Sequence, residues 1–327
     1  MPEKVLITGG AGFIGSHLIE RLLSRGDEVS VIDDLSTGRM ENISTFMRRK
    51  GFVFYKDTIF NLRRMRKLIG QCRAVYHLAA AVGVRYIIQN PLKSLQTNIR
   101  GTEIVLDLAA QFGRPVFLAS TSEIYGKNDR ELLKEDDDRI LGPTTVYRWS
   151  YSCTKALDEF LALAYFKERK LPVIIGRLFN ICGPRQTGRY GMVVPRFVQQ
   201  ALSGEQITVY GDGRQVRSFT YISDALDAAT LLHENPRAVG EIFNIGSYES
   251  ITILELAYLI KKLANSSSEV VNVSYADAYA FGFEDMRYRV PDITKISALT
   301  GYKPRVKLEE MLRLIIAYHS ERKPEKY

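Results

Sequence analysis

Lys4-Val-Leu-Ile-Thr-Gly-Gly-Ala-Gly-Phe-Ile-Gly-Ser16 joins a short apolar run to glycines at positions 9, 12 and 15. Val5, Leu6 and Ile7 predict a buried strand, and the apolar steps Ile14, Leu18, Ile19, Leu22 and Leu23 predict a helix that begins at once. A strand, a tight turn and a helix N-terminus in that order make a seat for a pyrophosphate. Gly9 permits the turn, Gly12 lets the backbone approach the phosphates, and Gly15 lets the helix lie close on the sheet, with Phe13 and Ile14 between them. The free N–H groups and positive dipole end of the helix favour the anion. A second strand, Glu28-Val-Ser-Val-Ile-Asp33, ends in an acid about twenty residues on, where a carboxylate takes ribose hydroxyls. Asp33 therefore points to NAD rather than NADP, and Asp34, Ser36, Thr37 and Gly38 form a polar loop beside the adenosine end.

Composition is that of an ordinary soluble protein. The 327 residues are 46% hydrophobic and 25% charged, enough to bury a substantial core in one large domain or two modest ones. Nothing approaches the roughly twenty uninterrupted apolar residues of a membrane span. The chain runs straight into a strand, so a cytoplasmic setting without a leader is expected. Cys72, Cys153 and Cys182 are too widely spaced for a metal site or a disulfide framework. The net charge of +8 is spread along the chain without aromatic interleaving, which reads as a basic surface suited to phosphorylated ligands rather than to nucleic acid.

Phe52–Tyr55 predicts a third strand, and Asp57 and Thr58 follow it, Asp57 placed for an adenine amino group or as a helix cap. A basic helix over 60–70 leads to a fourth strand from Ala74 that ends in His77-Leu78-Ala79-Ala80, small residues against which a cofactor can lie. A helix over 91–112 carries Asn98. Pro115–Ser120 is a fifth strand that delivers Thr121, Ser122, Glu123 and Tyr125 to its carboxyl end, where ligands of open parallel sheets bind. The acidic run Glu135–Asp138 reads as solvated surface. Tyr151 and Lys155 open a helix, and Pro172–Ile175 is a sixth strand. Alternating strands and helices predict a Rossmann-type α/β fold, a doubly wound parallel sheet over residues 1–180. Residues 181–327 lack a second regular series and predict a smaller α/β domain that holds the substrate.

A phenol with a pKa near 10 is a poor base at neutral pH. A lysine ammonium one helical turn away stabilises the phenolate, so Tyr151 with Lys155 can take a proton from a sugar hydroxyl while a hydride leaves for the cofactor. Thr121 can hydrogen-bond the same hydroxyl. Tyr125 and Tyr147 have no lysine four residues later.

The series Gly9 to Gly15, His77-Leu-Ala-Ala80, Ser120-Thr-Ser122, Tyr151-x-x-x-Lys155, Arg177-Leu-Phe-Asn180, Gly183-Pro-Arg185, Val209-Tyr-Gly-Asp-Gly213, Arg217-Ser-Phe-Thr-Tyr221, Phe243-Asn-Ile-Gly246 and Pro291-Asp-Ile293 resembles the extended short-chain dehydrogenases. Within them it resembles the nucleotide-sugar epimerase, dehydratase and decarboxylase group, along nearly the whole chain. The resemblance implies a tightly held NAD, a 4-keto sugar intermediate and a homodimer paired through the helices of Asn98 and Tyr151; Leu157, Leu161 and Leu163 are apolar residues that either serve that pairing or face the core. It also implies that Asn180, Val194, Tyr210, Arg217 and Arg287 line the nucleotide-diphosphate pocket, UDP being the expected nucleotide.

Thr121-Ser122-Glu123 resembles the UDP-glucuronic acid decarboxylases, in which the 4-ketone lies β to the C6 carboxylate. The 4,6-dehydratases often carry Asp-Glu at 122 and 123, and simple 4-epimerases small neutral residues. Ala79–Tyr86 looks more like the epimerases, and Gln186–Met192 departs from the decarboxylase pattern; Arg85 or Arg189 is a candidate for a substrate carboxylate. Decarboxylation is the expectation, with 4-epimerisation and 4,6- or 5,6-dehydration as alternatives. An NAD-sensing regulator would be expected to lack Tyr151 or Lys155, and an RNA-binding member to concentrate its basic charge on one face.

Overall fold

β1 (Lys4–Thr8) feeds α1 (Phe13–Ser24) through the glycine turn. Val5 and Ile7 enter one apolar layer and Leu6 the other, so the strand is covered on both faces, as parallel sheets require. β2 (Glu28–Asp33), β3 (Phe52–Lys56), β4 (Ala74–His77), β5 (Val116–Thr121) and β6 (Val173–Leu178) join it. Between them run α2 (Leu62–Gln71), α3 (Val84–Gln89), α4 (Pro91–Phe112) and α5 (Arg148–Arg169). The computed structural model describes residues 2–188, 191–278 and 285–322, without the side chains of Val84, Arg85 and Ala278.

The sheet has seven parallel strands in the order Glu241–Ile245, β6, β5, β4, β1, β2, β3. Its order reverses between β1 and β4, and a crevice opens there at the carboxyl ends of the strands. Two residues fix the turn that lines it. Gly9 has φ +75°, and a Cβ on it would lie 2.7 Å from the Ala79 nitrogen. A Cβ on Gly15 would lie 2.5 Å from the Gly9 carbonyl oxygen, so only glycine lets α1 settle this close to β1.

One layer of the core packs α1 and the helix Ile222–His233 on the sheet through Leu18, Ile19, Leu22, Leu226 and Leu232. The other packs α2, α4 and α5 through Met65, Leu68, Val105, Leu106 and Ala162. Asn98 of α4 binds α5 directly: its Nδ2 donates to the Thr154 hydroxyl at 3.2 Å, and its Oδ1 accepts from the Ala81 N–H at 2.7 Å. A third apolar cluster (Val194, Phe197, Ile207, Leu256, Ile260, Met311, Ile315) builds the C-terminal lobe.

Two expectations need correction. The strand Glu241–Ile245, assigned to the substrate domain, is the outermost strand of the main sheet beside β6, and the helix Ile222–His233 packs on α1. The chain therefore crosses back after residue 180 instead of dividing there. The acidic run is also not all solvated surface. Glu135 Oε1 accepts from the Asn244 N–H at 2.8 Å, and the Asp137 carboxylate, 3% exposed, meets Arg130 at 2.7 Å. The Glu135 carboxylate satisfies a backbone N–H that folding takes out of water, while the buried Asp137 carboxylate is itself answered by the exposed Arg130.

Candidate active site

A cavity of about 470 Å³ runs from the glycine turn to the C-terminal lobe. Its cofactor side is lined by Gly9, Gly12, Phe13, Ile14, Gly15, Asp33, Asp34, Ser36, Thr37, Asp57, Thr58, Leu78, Ala79 and Ala80, all expected from the sequence. α1 starts at Gly12 with no side-chain cap and no acid in its first turn, which leaves its N–H groups open to an anion. The Asp33 carboxylate, raised in pKa by burial, accepts from the Ala11 N–H at 2.9 Å and the Leu35 N–H at 2.8 Å. Gly38 is pressed against that carboxylate, since a Cβ there would lie 2.8 Å from Asp33 Oδ1. Asn61 caps α2, and Asp57 supports the cap by accepting from Asn61 Nδ2 at 2.8 Å. A dinucleotide fits this cradle: close backbone for the pyrophosphate, an acid at the ribose, and small residues beneath.

Thr121, Ser122 and Glu123 come off the end of β5 into a short 3₁₀ turn, which Thr121 caps by accepting from the Glu123 N–H at 3.2 Å. Tyr151 lies one turn inside α5, with its phenol hydrogen-bonded to Thr121. Burial raises its pKa, the Glu123 charge adds to this, and Thr121 opposes. Lys155 is 3% exposed, does not line the cavity, and gives its ammonium to the Asp158 carboxylate at 2.8 Å.

Glu123 is the anionic centre of the site. Burial favours its neutral form, but Arg148 and Arg289 outweigh that and hold its carboxyl below the ordinary value. Arg148 Nη2 is 3.2 Å from Glu123 Oε2 and 3.2 Å from Asp285 Oδ1, while Arg289 donates to both Glu123 and Asn180. Arg289 stands beside Arg217 in parallel register, two cations side by side. Asp285 answers the second: Arg217 Nη2 donates to it at 3.1 Å. Burial brings the Arg217 pKa down to about 10 against that attraction. Three guanidinium groups thus face two carboxylates at one end of the cavity.

Among the residues expected on the substrate side, Asn180, Val194, Tyr210 and Arg217 line the cavity. Arg287 does not: it is half-exposed and paired with Asp212 at 3.5 Å. The Arg85 side chain and Arg189 lie outside the described residues. Asn98 and Lys155 stand behind the lining rather than in it. Sequence reasoning missed Arg148, Arg289, Asp285 and Arg196, whose guanidinium lies 3.9 Å over the Tyr210 ring. Arg148 was within reach, because it sits three residues before Tyr151 on the same helix face. Among the described residues no group of three His, Cys, Asp or Glu could hold a metal, and no helix is long and apolar enough to cross a membrane.

The sequence pattern of the GDP-mannose 4,6-dehydratase family matches residues 6–315. A UDP-N-acetyl-alpha-D-glucosaminuronate decarboxylase of Bacillus cytotoxicus is 41% identical over 322 residues, 98% of this chain and 99% of that one. UDP-glucuronic acid decarboxylase 1 of Xenopus tropicalis is 37% identical over 97% of this chain and 72% of its own. The crystal structure of UDP-glucuronic acid 4-epimerase from Bacillus cereus, with UDP-glucuronic acid and NAD, superposes with TM-score 0.87 at 30% identity, over 96% of this chain and 98% of that one. With a family pattern and a full-length relative that both span nearly every element described above, the chain belongs to the GDP-mannose 4,6-dehydratase-type family of extended short-chain dehydrogenases.

Proposed function

We propose that this protein is an NAD-dependent decarboxylase of a UDP-sugar acid, UDP-glucuronic acid or its 2-acetamido relative. The observation that carries the reading is Glu123 at the reacting end of the cavity, ionised and gripped by Arg148 and Arg289. A 4,6-dehydratase needs a proton donor here for the departing hydroxyl, and neither Ser122 nor a clamped glutamate anion is one. The excess of one guanidinium over the local carboxylates suits a substrate that brings a carboxylate of its own.

When bound, NAD accepts the hydride of sugar C4 and later returns it. Tyr151 takes the C4 hydroxyl proton, with Thr121 hydrogen-bonded to the phenol. The resulting 4-ketone lies β to the C6 carboxylate, so the C5–C6 bond breaks with its electrons drawn into an enolate, and CO2 leaves. A proton drawn from solvent adds to the enolate at C5, and return of the hydride to C4 with the Tyr151 proton to the C4 oxygen completes the turnover. Arg289 and Arg148 orient the carboxylate and Glu123, and Ser122 is buried in the turn that holds Glu123. Arg196 stacked on Tyr210 furnishes a cationic wall for the nucleotide diphosphate.

The test is to incubate purified protein and NAD with UDP-glucuronic acid and, separately, UDP-N-acetylglucosaminuronic acid, followed by mass spectrometry and proton NMR. Loss of one CO2 with retention of the nucleotide is expected. An unchanged mass with inverted C4 would replace this reading with 4-epimerisation, the second reading, which the Bacillus cereus epimerase likeness and the Ala79–Tyr86 segment support. We further propose a homodimer joined through α4 and α5, because Leu92, Leu157 and Phe160 on these helices stay exposed. Three free cysteines suit a reducing compartment, and the cytoplasm is the proposed location.

A further inference from the structure

Tyr151, Lys155 and Asp158 follow one another along a single face of α5, at steps of four and three. The face thus carries a phenol, an ammonium and a carboxylate in sequence, and the last two are 2.8 Å apart and buried. Asp158 is fully buried, an expensive place for a charge unless it is used. We propose that Asp158 is the positioning residue of the Tyr151–Lys155 pair, fixing the Lys155 ammonium and offsetting part of its charge so that Tyr151 returns to the neutral phenol after each proton transfer. The inference rests on the catalytic reading of Tyr151 given above.

The reasoning is electrostatic. A lone buried ammonium one turn from a phenol would stabilise the phenolate strongly, giving a good base for oxidation at C4 and a poor acid for the return step. Turnover through a 4-ketone needs both, since the proton taken from the C4 hydroxyl must be given back. A carboxylate behind the ammonium weakens its pull on the phenol without removing it. The groups around this axis agree. From β5 and its turn, the Thr121 hydroxyl favours the phenolate and Glu123 disfavours it; Arg289 favours it, and Asp158 itself disfavours it. Around Asp158, burial favours the neutral acid, Lys155 opposes most strongly, the Thr102 hydroxyl of α4 also opposes, and Glu159 adds to the burial. His77 of β4 stays neutral: burial and then Lys155 push its pKa down to about 3, while its ring bonds Thr102 at 3.2 Å and Thr8 at 2.7 Å. Further along the face that carries Tyr151, the lysine is therefore held against the Asp158 carboxylate.

Asp158→Asn removes the charge and keeps a hydrogen-bond acceptor for Lys155; Asp158→Ser does the same where the amide fails to fold. With NAD present, the phenolate absorption of each protein is titrated against the same protein carrying Tyr151→Phe, so that the difference reports Tyr151 alone. Tyr151 is expected to ionise at lower pH in the neutral variants, by about one pH unit or a factor of ten in its ionisation constant, and at the wild-type pH in Asp158→Glu. At neutral pH the neutral variants should also release several-fold more 4-keto sugar, seen by mass spectrometry, because the return step lacks its acid. A purely structural role would lower the unfolding temperature without moving the titration. An unmoved titration in Asp158→Asn or Asp158→Ser, beside an inactive Tyr151→Phe protein, overturns the assignment of Asp158 alone. Full turnover by Tyr151→Phe overturns the catalytic reading instead.

Discussion

Glu123 is a carboxylate that burial would neutralise and two arginines keep charged. Glu123→Gln keeps the shape and leaves Arg148 and Arg289 short of a counter-charge. Losing the charged group at the reacting end should lower kcat by about a hundredfold, the low end of what a positioned acid–base group contributes. KM for the UDP-sugar should change far less, and steady-state kinetics separate the two. Unchanged kcat would remove Glu123 from the chemistry. His77 gives a second prediction. An unfolded histidine titrates near 6.5, whereas this one is held at about 3 by burial, with Lys155 adding to it. Between those values the unfolded chain binds the extra proton, so stability is full above about pH 6.5 and is lost as pH falls toward 3. His17 and His233, both lowered chiefly by burial, act in the same direction. Urea unfolding at a series of pH values should show this slope, and His77→Gln should flatten it; an equal slope in the variant assigns the effect to other groups. At this scale the sequence betrayed Thr121, Glu123 and Tyr151, because strand ends and helix spacing fix where such side chains emerge. It did not betray Asp285, which reaches the site from irregular chain, or Arg289, which comes from a two-residue strand too short to show a period.

The glycine turn and α1 form one working element. Gly15→Ala puts a methyl against the Gly9 carbonyl, so α1 must shift off β1 and carry its N–H groups away from the pyrophosphate. NAD affinity should drop by about tenfold or more, roughly 1.4 kcal/mol per decade, as read by calorimetry; wild-type affinity would show that the helix does not hold the phosphates. α4 was equally legible. Pro91 occupies its first turn and Gly113, at φ +61°, ends it, the asymmetry expected of helix starts and stops. The strand Glu241–Ile245 was legible as a strand but not as a member of the main sheet. A strand buried on both faces shows only an apolar run, and nothing local names its neighbour. The same holds for Glu135: within four acids in a row, only the fold distinguishes the one that caps the Asn244 backbone.

At the scale of the whole molecule, the outer surface of α4 and α5 carries the partner question. Leu161 and Leu163 pack against the core, leaving Leu157 at 40% and Phe160 at 61% exposure as the apolar contacts on offer. Phe160→Glu should turn the dimer into a monomer by light scattering, while unfolding temperature measured on the monomeric fraction stays close to wild type. A wild-type protein that is already monomeric would end the proposal. Beneath this surface a buried polar brace ties the halves together. Arg177 of β6 grips Glu159 of α5 with two hydrogen bonds, at 3.0 and 2.8 Å. It also donates to Tyr125 at 2.9 Å, and the Tyr125 hydroxyl donates to Asn244 at 2.6 Å.

The last strand of the sheet has a consequence for how the chain is made. When β6 leaves the ribosome, its free edge has no neighbour until residues 241–245 emerge, more than sixty residues later. During that interval a nascent chain exposes an apolar parallel edge and an unanswered Asn244 socket at Tyr125 and Glu135. Synthesis halted anywhere in between leaves that edge open, and the sheet is closed only by a strand that the chain returns to supply after building part of its C-terminal lobe.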